Sequence, residues 1–146
     1  MVSNLLRPGV WYAALIYLDA KPPKIILMGD SAGGNIGMAL TSLLIKLRHR
    51  VPDALLMVYP GLECCLEKYS PSKLFCLEDY LVSDSLLRTC RAAYVQGEGF
   101  DIVNDPFLSP VATKDELLKH FPRTRLFVGN ADPLFDDCIR LTERLL

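Results

Sequence analysis

The stretch that decides the fold is Ile25-Ile26-Leu27-Met28-Gly29-Asp30-Ser31-Ala32-Gly33-Gly34-Asn35. An apolar run that ends in Gly-Asp-Ser-Ala-Gly and opens into a helical pattern predicts a strand, a sharp turn carrying Ser31, and a helix. Such a turn pushes the serine Oγ clear of the backbone, towards a histidine base and a substrate carbonyl. We predict that Gly29 and Gly33 permit the turn, because a Cβ at either position would collide with neighbouring backbone. The pattern is that of a nucleophile elbow, with the N–H of Ala32 directed at a developing oxyanion.

The segments around this turn predict a parallel α/β sheet, because apolar helical patterns alternate with short apolar runs. We predict strands at Lys24–Met28, Ala54–Tyr59 and Arg125–Val128, with the second beside the first. The predicted helices are Val10–Leu18, about Gly34–Arg50, a helix capped by Ser83 that reaches Tyr94, a short helix after a Thr113–Glu116 capping box, and a last helix with Pro133 in its first position. The stretch from Gly61 to Asp79 is expected to be irregular. The fold class is therefore α/β, with helices flanking a parallel sheet in one domain over residues 1–146.

Composition and charge exclude several classes of protein. The 146 residues are 51% hydrophobic and 23% charged, which is typical of one globular domain with a single core. A formal net charge of -1, without a local run of Lys or Arg, argues against a nucleic-acid partner. The apolar stretch Val10–Leu18 is too short to span a bilayer, so no transmembrane segment is predicted. The five cysteines lack a Cys-x-x-Cys spacing, which predicts reduced thiols in a cytosolic protein and no metal site.

Asp132 is the second candidate for chemistry. It lies in a loop just past the third predicted strand, at the sheet edge where parallel α/β proteins place their active groups. An aspartate there can orient an imidazole ring and stabilise its positive charge. The alternative is that Asp132 only caps the final helix. Asp136 and Asp137 are expected in the first turn of that helix, where the helix dipole favours carboxylates.

Five motifs follow one another along the chain: Gly29–Asn35, Val51–Asp53 with the apolar strand up to Pro60, Ser70–Ser72, Asp105–Pro110 and Asp132–Asp137. This set resembles the hormone-sensitive lipase family of α/β-hydrolases, over nearly everything from Val10 to Leu146. The resemblance implies a carboxylic ester hydrolase in which Ser31 attacks the ester carbonyl, Asp132 orients the catalytic histidine and Ala32 donates to the oxyanion. It also implies acylglycerols or other acyl esters as substrates, no cofactor, and a cytoplasmic protein that associates with lipid droplets.

Two features of that family are not found in this sequence. The family's His-Gly-Gly loop, which completes its oxyanion hole, does not occur before Gly29, so Ala32 is the only predicted donor. The family's histidine lies beyond one more strand after the aspartate, whereas His49 and His120 lie at the wrong end of the predicted sheet. We therefore expect a partial α/β-hydrolase fold, lacking the N-terminal strands and the last strand, that is nearly inactive by itself. The two strand edges left unpaired predict self-association.

Two functions remain open on the sequence alone. The first is ester hydrolysis through Ser31. The second is a non-catalytic hydrolase-fold protein that binds lipid or a partner protein through its apolar surfaces, which the missing base favours. A phosphate-binding loop is set aside, because the glycines at 29, 33 and 34 do not match Gly-x-Gly-x-x-Gly and no Gly-Lys-Ser/Thr follows.

Overall fold

The architecture is a three-stranded parallel sheet with helices on one face. The computed structural model describes residues 22–95 and 99–146, so the helix predicted at Val10–Leu18 lies outside the described residues. The strands are β1 (Ile26–Asp30), β2 (Ala54–Val58) and β3 (Arg123–Phe127), hydrogen-bonded in the order β1-β2-β3. Both pairs are parallel, which confirms the predicted fold class and the placement of β2 beside the elbow strand.

Five helices connect and flank these strands. They are α1 (Ser31–Lys46), α2 (Pro71–Phe75), α3 (Asp84–Tyr94), α4 (Asp115–Leu118) and α5 (Phe135–Leu145), with a 3-10 turn at Pro110–Ala112. The first helix begins at the elbow serine itself and ends four residues before the predicted Arg50. Ser83 caps α3 as predicted, since its hydroxyl accepts a hydrogen bond from the Leu86 N–H.

Three local predictions about where helices begin are wrong. The stretch expected to be irregular contains α2, because the Ser70 hydroxyl accepts from the Lys73 N–H and so caps a short helix. The capping box does not form: α4 is preceded by Lys114, and the buried Thr113 hydroxyl has no hydrogen-bond partner. The last helix begins at Phe135, so Pro133 precedes it instead of occupying its first position.

One face of the sheet carries the core. Parallel strands that follow one another in the same direction are joined by right-handed crossovers, which place the connecting helices on one side. Buried side chains from α1, β2, α4 and α5 pack together there, with partly buried Leu27 of β1 and Leu126 of β3 against them; the buried members are Met38, Leu55, Met57, Leu62, Leu118, Cys138 and Leu141.

The opposite face of the sheet is exposed over the described residues. Ile26 and Met28 on β1 are each 66% exposed, and Phe127 on β3 is 54% exposed. The register places Met28 beside Leu56, so these apolar residues are neighbours on one surface. Within the described part of the chain, β1 and β3 are each paired on one side only. The self-association predicted from such edges stays a prediction.

Candidate active site

The strand, turn and helix predicted around Ser31 are present where β1 meets α1. The strand ends at Asp30 and the helix begins at Ser31, with no residue between them. Ser31 has a φ of +49°, in the left-handed region that residues other than glycine rarely adopt. Strained backbone of this kind persists only where the surroundings enforce it, and it concentrates at functional sites. Ser31 and Ala32 are both exposed, and the Ala32 N–H lies in the first turn of α1, where backbone N–H groups have no partner inside the helix.

The glycines of this turn have unequal roles. A Cβ on Gly29 would lie 2.5 Å from the Gly33 carbonyl oxygen, so the prediction for Gly29 is confirmed. A Cβ on Gly33 would lie 3.7 Å from Asp30 Oδ1, an ordinary contact, so the collision predicted there is wrong. The second tight position is Gly34, where a Cβ would lie 2.6 Å from the Pro60 Cβ. The turn therefore needs Gly29 and Gly34, whereas Gly33 contributes its backbone.

Asn35 ties the elbow to two loops. Its side-chain amide donates to the Gly61 carbonyl at 2.6 Å and to the Leu108 carbonyl at 2.9 Å. The Gly61 N–H in turn donates to the Ser31 carbonyl at 3.1 Å, so both backbone polar groups of Gly61 are hydrogen-bonded. The Tyr94 hydroxyl donates a longer hydrogen bond to Asn35 Oδ1, and burial raises the pKa of that hydroxyl. The backbone around Ser31 is thus fixed from outside the helix.

The sequence analysis did not assign a role to Asn35, although it closes the quoted stretch. A signal was available, because asparagine is a poor residue for a helix interior and needs a compensating interaction. The buried position confirms this reasoning, since both donor hydrogens of the amide are used.

Asp132 lies past the carboxyl end of β3. Its Oδ1 accepts from the Leu134 N–H at 2.8 Å, and its carbonyl accepts from the Phe135 N–H at 3.0 Å. These bonds shape the turn before α5, in part as the capping alternative expects. Its Oδ2 accepts no hydrogen bond from the residues that the structure describes, and it remains an available acceptor. The two interpretations of Asp132 are therefore compatible.

Ser31 and Asp132 lie at the same edge of the sheet. Each follows the carboxyl end of its strand, and β1 and β3 are separated by β2 alone. Two strand spacings place the axes of β1 and β3 about 10 Å apart. A side chain entering above β2 is thus within reach of both residues.

The two histidines lie at the other edge. His49 follows the end of α1, where its N–H donates to the Leu44 carbonyl, and His120 precedes β3. Five-residue strands separate that edge from Ser31 by about 16 Å. Neither histidine serves Ser31 in this arrangement.

The two carboxylates after Asp132 lie in the first turn of α5, as expected, but they bind α2. Asp136 Oδ2 accepts from the Ser72 N–H at 2.8 Å. Asp137 is fully buried and forms ion pairs with Lys73 and Arg140. Both carboxylates therefore also bind residues of α2, in addition to the expected interaction with the dipole of α5.

Other kinds of site find less support in the described residues. No group of three or more His, Cys, Asp or Glu side chains is placed to hold a metal ion over residues 22–95 and 99–146. Within the same ranges, no helix has the length and apolar character to cross a membrane. All five cysteines are free thiols, and burial is the main cause that raises the pKa of Cys64 to about 11 and of Cys138 to about 12.

A parallel sheet whose strand turns directly into a helix at an exposed, strained serine is the architecture of the α/β-hydrolases. Residues 10–146 match the model of a family described as having the alpha/beta hydrolase fold, and the chain belongs to that family.

Its relatives are esterases and lipases. The chain is 31% identical over 134 residues to an esterase of Acinetobacter venetianus, covering 91% of this chain and 42% of the esterase. It is 36% identical over 84 residues to hormone-sensitive lipase of Bos taurus, covering 58% of this chain and 11% of the lipase. A solved hormone-sensitive lipase from a metagenome library superposes with a TM-score of 0.78 at 28% identity, over 99% of this chain and 45% of that one. The chain thus spans less than half the length of these relatives.

Proposed function

We propose that this protein is the nucleophile-bearing part of a carboxylic ester hydrolase that acts on acylglycerols or other acyl esters through Ser31. The observation that carries the proposal is the elbow: an exposed serine at φ +49° between β1 and α1, held by the close approach of Gly29 to the Gly33 carbonyl. The esterases and lipases among its relatives support the reaction class.

The proposed reaction assigns one role to each residue. Ser31 Oγ loses its proton to a histidine ring and attacks the ester carbonyl, and the Ala32 N–H donates to the resulting oxyanion. The alcohol leaves with the proton returned by the ring, and water then releases the acid from the acyl-enzyme. Asp132 Oδ2 accepts the hydrogen bond from the second ring nitrogen and so fixes the imidazole.

The base in this scheme is not supplied by His49 or His120, which lie at the opposite edge. Removing the histidine base from a serine triad costs about 10⁶-fold in rate. The 146-residue chain by itself is therefore proposed to be nearly inactive. Free imidazole can occupy the space between Ser31 and Asp132 and recover part of the about 10²-fold that a general base contributes.

The test is covalent labelling of the chain by a fluorophosphonate probe, with and without imidazole, followed by mass spectrometry. The expected result is one adduct at Ser31 whose rate of formation rises with imidazole concentration. Ser31→Ala is expected to abolish the adduct, and Asp132→Asn is expected to remove most of the imidazole-dependent part. Ser85→Ala, a change of an exposed serine on α3, is the matched control.

Circular dichroism on each sample establishes that the labelled protein is folded. A folded chain that forms no adduct at any imidazole concentration, or that is labelled equally after Ser31→Ala, would contradict the proposal.

A second candidate function is binding through the apolar surfaces, as a non-catalytic module. The exposure of Ile26 and Met28 on β1, an edge strand, favours it, as does the exposure of Phe127 on the other edge strand. Strand edges and apolar faces of this kind favour pairing with a second chain. Analytical ultracentrifugation tests it: self-association that Met28→Lys abolishes is expected, whereas a monomer over the whole concentration range contradicts it.

We also propose a cytoplasmic location with attachment to lipid droplets. Five free thiols agree with a reducing compartment, and acyl ester substrates agree with the droplet. Imaging of a tagged chain in lipid-loaded cells tests both parts, and a secreted product would contradict them.

A further inference from the structure

Helix α2 and Cys76, the residue that caps its C-terminus, contact the loop that carries Asp132 on both sides of that residue. The Cys76 thiol donates to the Ala131 carbonyl at 3.3 Å, and the Ser72 hydroxyl donates to the Pro133 carbonyl at 3.0 Å. These carbonyls belong to the residues immediately before and after Asp132. The peptides that set the orientation of the carboxylate are therefore both held by one short helix together with its C-cap residue.

A second set of contacts fixes α2 to α5. The Ser72 N–H donates to Asp136 Oδ2 at 2.8 Å, and the Lys73 ammonium lies 3.1 Å from Asp137 Oδ2, with both side chains buried. The Ser72 N–H is the main cause that holds the pKa of Asp136 below its usual range. Burial raises the pKa of Cys76, so its thiol stays protonated and can donate. The helix is thus anchored to the scaffold before it contacts the loop.

We propose that α2 positions Asp132, with Ser72 and Cys76 as positioning residues for the ester hydrolysis described above, on which this inference rests. Oδ1 of Asp132 is already bound to the Leu134 N–H, so the direction of Oδ2 follows the orientation of the 131–133 backbone. Fixing the two flanking carbonyls fixes that orientation. A catalytic group displaced by about 1 Å can lose about 10²-fold in rate, which is why such a loop needs support.

The first test measures the loop itself and does not depend on catalysis. Ser72→Ala removes the hydroxyl that donates to the Pro133 carbonyl and accepts a longer hydrogen bond from the Asp136 N–H, but it keeps the Ser72 N–H that binds Asp136 Oδ2. We expect amide hydrogen exchange at Leu134 to rise by about three- to tenfold, the equivalent of one lost hydrogen bond, while β2 amides are unchanged. Ser72→Thr keeps a hydroxyl and is expected to restore protection, and Ser85→Ala is the control. Unchanged exchange at Leu134 in Ser72→Ala would overturn the inference.

The second test asks whether Ser72 acts through Asp132. Ser72→Ala is expected to lower the imidazole-dependent labelling of Ser31 by about three- to tenfold, and to have no effect in an Asp132→Asn background. An equal loss in both backgrounds would show a merely structural role and overturn the positioning proposal. No labelling of the folded wild-type chain would overturn the proposed function and the positioning role with it. Amide exchange at Leu134 distinguishes the two failures, because it reports on the contacts of α2 with the loop whether or not Ser31 is labelled.

Discussion

The sharpest prediction contrasts alanine at the two glycines that flank Ser31. Both glycines belong to the same Gly-x-Ser-x-Gly motif, so a motif-level argument expects alanine to be equally damaging at either position. The structure predicts opposite results. In Gly29→Ala the new Cβ lies 2.5 Å from the Gly33 carbonyl oxygen and 2.6 Å from its carbonyl carbon, well inside the 3.0 Å that real Cβ atoms essentially never cross.

The magnitude follows from what must move. Both contacts are backbone, so no side-chain rotamer can relieve them, and overpacking of this kind typically costs about 1–3 kcal/mol. The upper end is expected at Gly29, because β1 would have to separate from α1. In Gly33→Ala the nearest atom is 3.7 Å away, so the reduced freedom of the unfolded chain is expected to stabilise the fold by about 0.5–1 kcal/mol.

The assay is thermal and urea unfolding of both variants, followed by far-UV circular dichroism. A difference of about 3.5–4 kcal/mol between them corresponds to about 7–16 °C in Tm for a chain of this size. Labelling of Ser31 is expected to fall with Gly29→Ala and to persist with Gly33→Ala. Equal destabilisation by the two variants, or a Gly29→Ala variant as stable as the wild type, would refute the geometry given for the elbow.

Three further predictions concern other parts of the molecule. Asn35→Ala leaves the buried Leu108 carbonyl and the partly buried Gly61 carbonyl without this donor, and it is expected to cost about 2–3 kcal/mol in urea unfolding. The pKa of Asp136 is lowered in the folded state. Its contribution to stability is therefore complete above its unfolded pKa of about 3.9 and is lost as the pH falls through the folded pKa. Asp136→Asn is expected to make the urea midpoint of unfolding depend less on pH below about pH 4. Iodoacetamide at pH 8 is expected to modify exposed Cys90 before Cys64 and Cys138, whose raised pKa values of about 11 and about 12 keep them protonated, as peptide mass mapping will show.

The sequence predicted those parts of the fold that local residues determine. The elbow follows from an apolar run and a serine between small residues, and Ser83 caps α3 through a hydrogen bond three residues away. The α2 helix was missed because it is only five residues long, too short for a hydrophobic period. Its start signal is a serine before a proline at 70 and 71, a pair that is equally common in loops.

The contacts that support the candidate site had no local signal. Lys73 and Asp137 are 64 positions apart, and only the folded chain shows that both are buried and paired. At Thr113 the local pattern of a capping box is present, but the box does not form. The helix begins one residue later than that pattern requires, with Lys114 in the N-cap position. Long-range pairing can override a local preference, and a single sequence does not display it.

The segment that follows β2 contacts both the Ser31 side and the Asp132 side of the candidate site. The last row of the sheet joins Asp30, Val58 and Phe127, just before the two site loops diverge. Beyond it, the Tyr59 N–H donates to the Phe127 carbonyl on the Asp132 side.

On the Ser31 side the Gly61 N–H donates to the Ser31 carbonyl, and Pro60 packs against Gly34 of α1. Tyr59 adopts a φ of +36° to make both connections, a conformation that a residue other than glycine holds only under constraint. Because β1 and β3 each pair with β2 and not with each other in the described part of the chain, the three residues after β2 extend the backbone link between the Ser31 and Asp132 segments beyond the last row of the sheet. Strain therefore occurs at Ser31 and again at Tyr59, where the chain has to hold two separate strands in one geometry.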